Sequence, residues 1–188
     1  MKIIIEEYNP MWIKLFNKEK DFIQKLFSDL NPTIEHIGST SIPGLAAKPI
    51  VDLLIGLSTI DDLDKIVNRL LDYEYIYFKI YEKIYPDRRF FIKLKDKKLS
   101  NTFNKIIKDE KNNSIIEIKD KLYHLHIVKK DSDFWNKHIK FRDYLINNKK
   151  VRDEYGKLKM ELSKKEWKDG NEFANAKSNF IKNIEVFL

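Results

Sequence analysis

The chain contains no cysteine, which excludes disulfides and thiolate-held metal sites. No apolar run approaches the ~20 residues that cross a bilayer. The N-terminal MKIIIEEYNPMW has three isoleucines before it turns acidic, too few for a signal-peptide core. A soluble cytoplasmic protein with no membrane partner is expected. Glycine and proline are scarce, at five each in 188 residues, and neither a low-complexity linker nor an internal repeat is present. What remains is an ordinary globular composition, 43% hydrophobic and 13% aromatic, in a chain long enough to bury roughly 70% of its unfolded surface as one domain. The formal charge of +7 gives a bias towards anions. Bulk nucleic-acid binding is not expected, because the lysines are scattered among acids. No run interleaves aromatic and basic residues as a single-strand platform requires.

The apolar pattern gives a coarse order of elements. Residues 2–6 read as a short first strand. Trp12, Phe16, Ile23, Phe27 and Leu30 recur at helical spacing after Pro10, and Asn31-Pro32 closes that helix. Ile34–Ile37 reads as a strand, and Ile50–Ile55 as a strand covered on both faces. Leu63, Ile66, Val67, Leu70 and Leu71 form the stripe of a helix that Ser58 or Thr59 would cap. Tyr75–Phe78, Phe90–Leu94, Ser114–Ile118 and Leu122–Val128 are strand candidates, with a short helix around Leu99, Phe103 and Ile106. From Ser132 onward three helical stripes follow, the last carrying Phe173, Phe180, Ile184 and Phe187 after a break near Asp169-Gly170. Strands mixed with helices and then helices alone give an α+β class. The sheet part covers about 1–130 and the helical subdomain about 131–188.

One stretch departs from the lysine-rich remainder. EHIGSTSIPGLAAKPIVDLLIG, Glu35 to Gly56, holds three of the five glycines, one lysine and, after Glu35, one acid. A strand runs into Gly38-Ser39-Thr40-Ser41, and a later strand carries Asp52. Glycine lets backbone N–H groups approach a ligand closely, and the hydroxyls beside it can donate to phosphate oxygens. Lys48 would add a point charge. A carboxylate inside an apolar strand needs a cation or donors to meet it, and a metal ion bridging Asp52 and phosphates fits that need. The competing reading is two turns and a solvated aspartate. The Gly-Lys-Ser/Thr ending of a Walker loop is missing.

This stretch closely resembles the signature of the GrpB-like proteins, a branch of the nucleotidyltransferase superfamily. RRFFIK (88–93), HLHIV (124–128), FRDYL (141–145), YGKLKMEL (155–162) and KSNFI (177–181) are similar to the same family, so the likeness spans nearly the whole chain. The resemblance implies a nucleotidyltransferase-like mixed β-sheet with packed helices and a C-terminal helical part. It implies a nucleotide or related phosphorylated small molecule as ligand, with possible transfer of a nucleoside monophosphate to an acceptor hydroxyl. In some bacteria a related domain is joined to a coenzyme A biosynthetic kinase, which adds phosphopantetheine compounds to the ligand classes. In that superfamily a Gly-Ser turn, matched by Gly38 and Ser39, holds phosphates. Paired acids, of which Asp52 matches one, bind magnesium. Here the acid-x-acid pair is reduced to a single carboxylate between Ile50 and Leu54, and His124 and His126 stand where a third acid is expected. The resemblance thus implies a divalent ion, magnesium, manganese or zinc, its identity left open, and one carboxylate with imidazoles suits the softer ions better. The reduction also supports another reading, a non-catalytic ligand-binding or scaffold domain.

Other candidates follow from spacing. His124 and His126 project to one strand face, as metal ligands or as a proton relay, with His126 preferred. Two histidines satisfied by carbonyls are the alternative. His36 precedes the glycine turn and can reach the same cleft. Alternation puts Arg89, Phe91 and Lys93 on one face of a strand, and Arg89 and Lys93 are expected to join Lys48 on phosphates. Arg142, Lys159 and Lys177 are further cleft candidates, each also readable as part of a solvated helix face. His138, on a helical apolar stripe, reads as structural.

Overall fold

Two apolar strand runs sit at the centre of the molecule and organise everything else. A computed structural model describes residues 1–109 and 116–187. Its single mixed sheet contains β1 (Thr33–Ile37), β2 (Val51–Leu57), β3 (Tyr75–Tyr77), β4 (Arg88–Leu94) and β5 (Lys121–Lys129) in the order β1-β2-β5-β4-β3. β2 and β5 run parallel, while the other neighbours are antiparallel. Val51, Leu53, Leu54 and Ile55 of β2 are fully buried, as a strand covered on both faces demands.

One sheet face packs on α1 (Met11–Leu26) and α2 (Asp62–Leu71). Trp12, Phe16 and Ile23 from α1 and Leu63, Ile66 and Leu70 from α2 meet Val51, Leu53, Phe91, Tyr123, Leu125 and Ile127 in the main core. The opposite face is covered from α4 (Asp133–Asn147), whose Trp135 packs on Ile37, Leu54 and Val128. Behind α4 stand α5 (Lys149–Ser163), α6 (Gly170–Ala176) and α7 (Ser178–Glu185). Tyr155, Leu145 and Ile184 join them to Ile42 and Leu45 in the loop before β2. A small helix, α3 (Lys97–Ser100), follows β4. No helix among the described residues is long and apolar enough to cross a membrane.

Several expectations need correction. Residues 2–6 form no strand of the sheet; Lys2 bridges Glu166 and Glu6 bridges Ala47 as isolated pairs, so the segment is a strap over two irregular stretches. The expected strand at 114–118 has its first two residues outside the described part. Its remainder leads into a 3-10 turn at Ile118–Asp120, with Ile116 buried in a satellite cluster. The last helical stripe is two helices broken at Lys177. Neither Ser58 nor Thr59 caps α2, which starts from Asp61; the Thr59 hydroxyl instead donates to Asp62 at 2.7 Å.

Candidate functional site

Strand parity assembles the site. Asp52 on β2 stands opposite Ile37 of β1 and His124 of β5, and His126 lies two residues on, opposite Leu54 and Phe90. All three side chains occupy the face covered by α4. Asp52 Oδ1 lies 3.0 Å from His124 Nδ1 and 3.8 Å from His126 Nε2. Burial would raise the Asp52 carboxyl, but hydrogen bonds from His124 and then His126 override it and hold the group well below the ordinary carboxylate range. Burial lowers both imidazoles. The resting arrangement is therefore an aspartate anion beside two neutral histidines.

The residues fit a divalent ion of borderline softness. Each of the three offers one donor atom, all within 4.8 Å of one another, and the nitrogens turned to Asp52 are His124 Nδ1 and His126 Nε2. One carboxylate oxygen and two imidazole nitrogens suit zinc better than magnesium, which prefers an all-oxygen shell.

Gly38 ends β1 with φ +71°. A Cβ there would sit 2.3 Å from Asp52 Oδ2, so the glycine is needed for close approach to the aspartate itself. The hydroxyls that follow have separate duties. Thr40 is buried, donates to the Ile50 carbonyl at 3.3 Å and lies 3.0 Å from His36 Nε2. Ser41 donates to the Gly38 carbonyl at 2.6 Å. Ser39 accepts from Lys159 Nζ at 2.8 Å.

A cavity of about 390 Å³ opens in front of Asp52 and the histidines, within the usual size range of small-molecule sites. Gly38, Ser39, Thr40, Lys48, Arg142, Lys159 and Lys177 also line it, among the expected residues. Lys159 is only 2% exposed and also donates to the Ala46 carbonyl. Lys48 and Lys177 flank the Phe173 ring, each with Nζ 4.9 Å from its centroid. Burial, and then Lys177 and Lys48, push the Lys159 amine down to about 6. Burial, and then Lys48, bring Lys177 to about 8.

Four expected residues stand elsewhere. Arg89 and Lys93 are on the α1–α2 face, since parity groups them with Phe91 of the main core. Arg89 Nε bonds Asp64 at 2.8 Å, and Lys93 Nζ bonds the buried Glu19 at 2.9 Å. His36 stacks on Phe16 at 4.6 Å and, with Ser41, lines a separate shallow depression on the far side of Arg142. Arg142 borders both hollows, held by Glu35 at 2.7 Å, Asp143 at 2.8 Å and the His36 carbonyl at 3.0 Å. Burial lowers His36 to about 4.

Sequence reasoning passed over Lys137, Glu185 and Phe173, all of which line the cavity. Lys137 and Glu185 form a 2.9 Å ion pair between α4 and α7. His138, read as structural, does bond the Phe134 carbonyl at 2.7 Å, yet it also lines the cavity. Arg88 stands in the sequence at the entry to the strand but is passed over as a site residue in favour of Arg89. It shares the histidine face, packs its guanidinium against the Tyr85 ring at 4.3 Å and has a buried Nε with no partner.

The profile of the family described as "GrpB protein" matches residues 2–186. The chain belongs to the GrpB family. It is 31% identical over 183 residues to a glutamate-rich protein GrpB of Alkalihalophilus pseudofirmus, covering 97% of this chain and 94% of that one. It is 30% identical to a UPF0157 protein of Halalkalibacterium halodurans, covering 97% and 80%. Among solved structures, a conserved GrpB protein from Enterococcus faecalis superposes with a TM-score of 0.74 at 28% identity, over 97% of this chain and 94% of that chain. GrpB membership thus covers both the sheet and the helical layer that together wall the cavity.

Proposed function

We propose that the cavity binds a nucleotide or related phosphorylated small molecule, with a divalent ion held by Asp52, His124 and His126. The observation that carries this reading is the charge balance of the cavity wall. Among the described residues, Lys137 is paired with Glu185, and Arg142 with Glu35 and Asp143. Lys48, Lys159 and Lys177 have no carboxylate partner within ion-pair distance among these residues. Even with Lys159 unprotonated, Lys48 and Lys177 outnumber the one unpaired carboxylate, Asp52, whose charge is already shared by two imidazoles. Burying such an excess is costly unless an anion enters.

The chain's own residues would bind and orient phosphate oxygens through Lys48, Lys159 and Lys177. A bound ion would polarise a phosphate oxygen and offset its charge. Catalysis of this kind rests on positioning and charge neutralisation. In a transfer, the acceptor hydroxyl would attack the α-phosphorus of a nucleoside triphosphate and pyrophosphate would leave. Neutral His126, free of an ion, would take the hydroxyl proton with Asp52 stabilising the imidazolium. The single carboxylate favours a second reading, a non-catalytic module that binds the same ligand class.

Thermal shifts with ATP, ADP and pyrophosphate, each with magnesium, manganese or zinc, test the site. At a hundredfold excess over Kd, binding adds about 2.7 kcal/mol, or about 5–10 °C in Tm for a chain of this size. Lys48→Ala and Asp52→Asn are expected to remove that shift. Equal shifts in wild type and both variants would mean the ligand sits elsewhere, and no shift with any ligand would end the phosphate reading. Pyrophosphate release with pooled hydroxyl acceptors supports transfer; binding without release supports the module.

A further inference from the structure

We propose that the cavity selects a dianionic phosphate monoester over any monoanion, and that Lys159 takes up a proton as that group enters. The inference rests on the phosphate reading above and adds the ionisation state of both partners.

The hydrogen-bond count around Lys159 carries the argument. Its Nζ has two acceptors, Ser39 Oγ at 2.8 Å and the Ala46 carbonyl. A neutral amine has two N–H groups, so both are used. An ammonium has three, and the third meets no protein acceptor among the described residues; the Tyr155 ring also lies beside Nζ, its centroid at 4.6 Å. The protein's own acceptors therefore match the two N–H groups of the neutral amine and leave the third hydrogen of an ammonium facing the cavity without a protein acceptor. A phosphate oxygen in the cavity supplies the missing acceptor together with the opposite charge.

The surroundings point the same way. Around Lys159 stand Lys48 from the loop before β2, Lys177 between α6 and α7, and Asp52 with His124 and His126 on the sheet. On the helices, Lys137 and Glu185 cancel one another, Arg142 is held by Glu35 and Asp143, and His138 is kept neutral by burial, near 4. Burial and the two neighbouring lysines hold Lys159 near 6, so at pH 7.5 its amine is mostly unprotonated. With Lys159 unprotonated, Lys48 and Lys177 stand against Asp52, and one added negative charge balances the wall. A second negative charge is answered only by a proton on Lys159, and a divalent ion at Asp52 enlarges the demand for that second charge.

Methyl phosphate and dimethyl phosphate separate charge from shape, the first being dianionic at pH 7.5 and the second a monoanion at every working pH. Titration calorimetry with the full chain at pH 7.5, in two phosphate-free buffers of different ionisation enthalpy, reads affinity and proton count together. The expected result is at least tenfold tighter binding of methyl phosphate, with about half to one proton taken up per ligand. Lys159→Met should abolish the uptake and weaken binding. Should that variant not fold, Lys177→Met serves: it removes a repelling charge, so Lys159 is more protonated beforehand and the uptake falls. Equal affinities for the two esters, or tight methyl phosphate binding with no proton uptake, would overturn the inference while leaving a phosphate site intact. Failure of both esters to bind in competition with any ligand that shifts the Tm would overturn it as well. Failure of every phosphate compound would remove the parent reading.

Discussion

At the scale of single residues, Gly38 shows how a motif can be recognised for one reason and required for another. The sequence suggests the glycine-serine turn as a phosphate cradle. In the fold, its φ of +71° and ψ of −177° belong to a region almost reserved for glycine, costing other residues about 1–3 kcal/mol. The absent Cβ makes room for Asp52. Gly38→Ala is expected to lower unfolding stability by at least about 1 kcal/mol in urea titrations and to push Asp52 away from His124. Ligand-induced Tm shifts should disappear with it; an alanine variant of unchanged stability and unchanged ligand response would contradict this account. Asp52, His124 and His126 were legible because a lone acid in an apolar strand and a His-x-His pair are chemically odd. Lys159 was harder, since a lysine on an amphipathic helix is ordinarily solvated, and only the packing of α5 over Ser39 reveals it as buried.

At the scale of elements, local patterns and long-range register part company. β2, β4 and β5 could be placed because apolar runs declare strands, and the order of the helices followed from their stripes. Which face of β4 meets the histidines could not be read. Alternation within β4 correctly grouped Arg89 with Phe91 and Lys93, but the register opposing Phe90 to His126 and Phe91 to Leu125 is set across strands. It sends Arg88, and not Arg89, to the side of the histidines. The break at Lys177 escaped because apolar positions continue on both sides of it. α6 itself is short and depends on its cap: Asp169 accepts from the backbone N–H groups of Asn171 at 2.9 Å and Glu172 at 2.8 Å. Asp169→Ala is expected to cost about 1 kcal/mol. Because α6 carries Phe173 between Lys48 and Lys177, ligand affinity should fall by more than stability alone explains. Normal affinity in that variant would show that the ring does not order the amines.

At the scale of the whole molecule, buried amines shape the dependence of stability on pH. Burial, followed by Lys177 and Lys48, holds Lys159 near 6, and burial with Lys48 holds Lys177 near 8; in an unfolded chain both titrate near 10.4. Across that interval the unfolded chain binds more protons than the folded one, so stability rises with pH. The slope is up to about 1.4 kcal/mol per pH unit for each lysine. Below pH 6 the penalty of charging Lys159 is fully present. Denaturant midpoints at pH 7, 8 and 9 should therefore climb, and Lys159→Met should flatten the climb; parallel curves for wild type and variant would rule out Lys159 as its source.

The strap at residues 2–6 joins what the chain order separates. Lys2 is hydrogen-bonded alongside Glu166 just beyond α5, Glu6 alongside Ala47 just before β2, and Ile5 between them faces the cavity. Ile3, on the same strap, is buried with Leu162 and Phe173. A stitch of five residues thus fastens the helical layer to the sheet at the very seam where the lysines gather. The two layers are thereby laced together, so a change in the spacing of either is felt at the seam by the other.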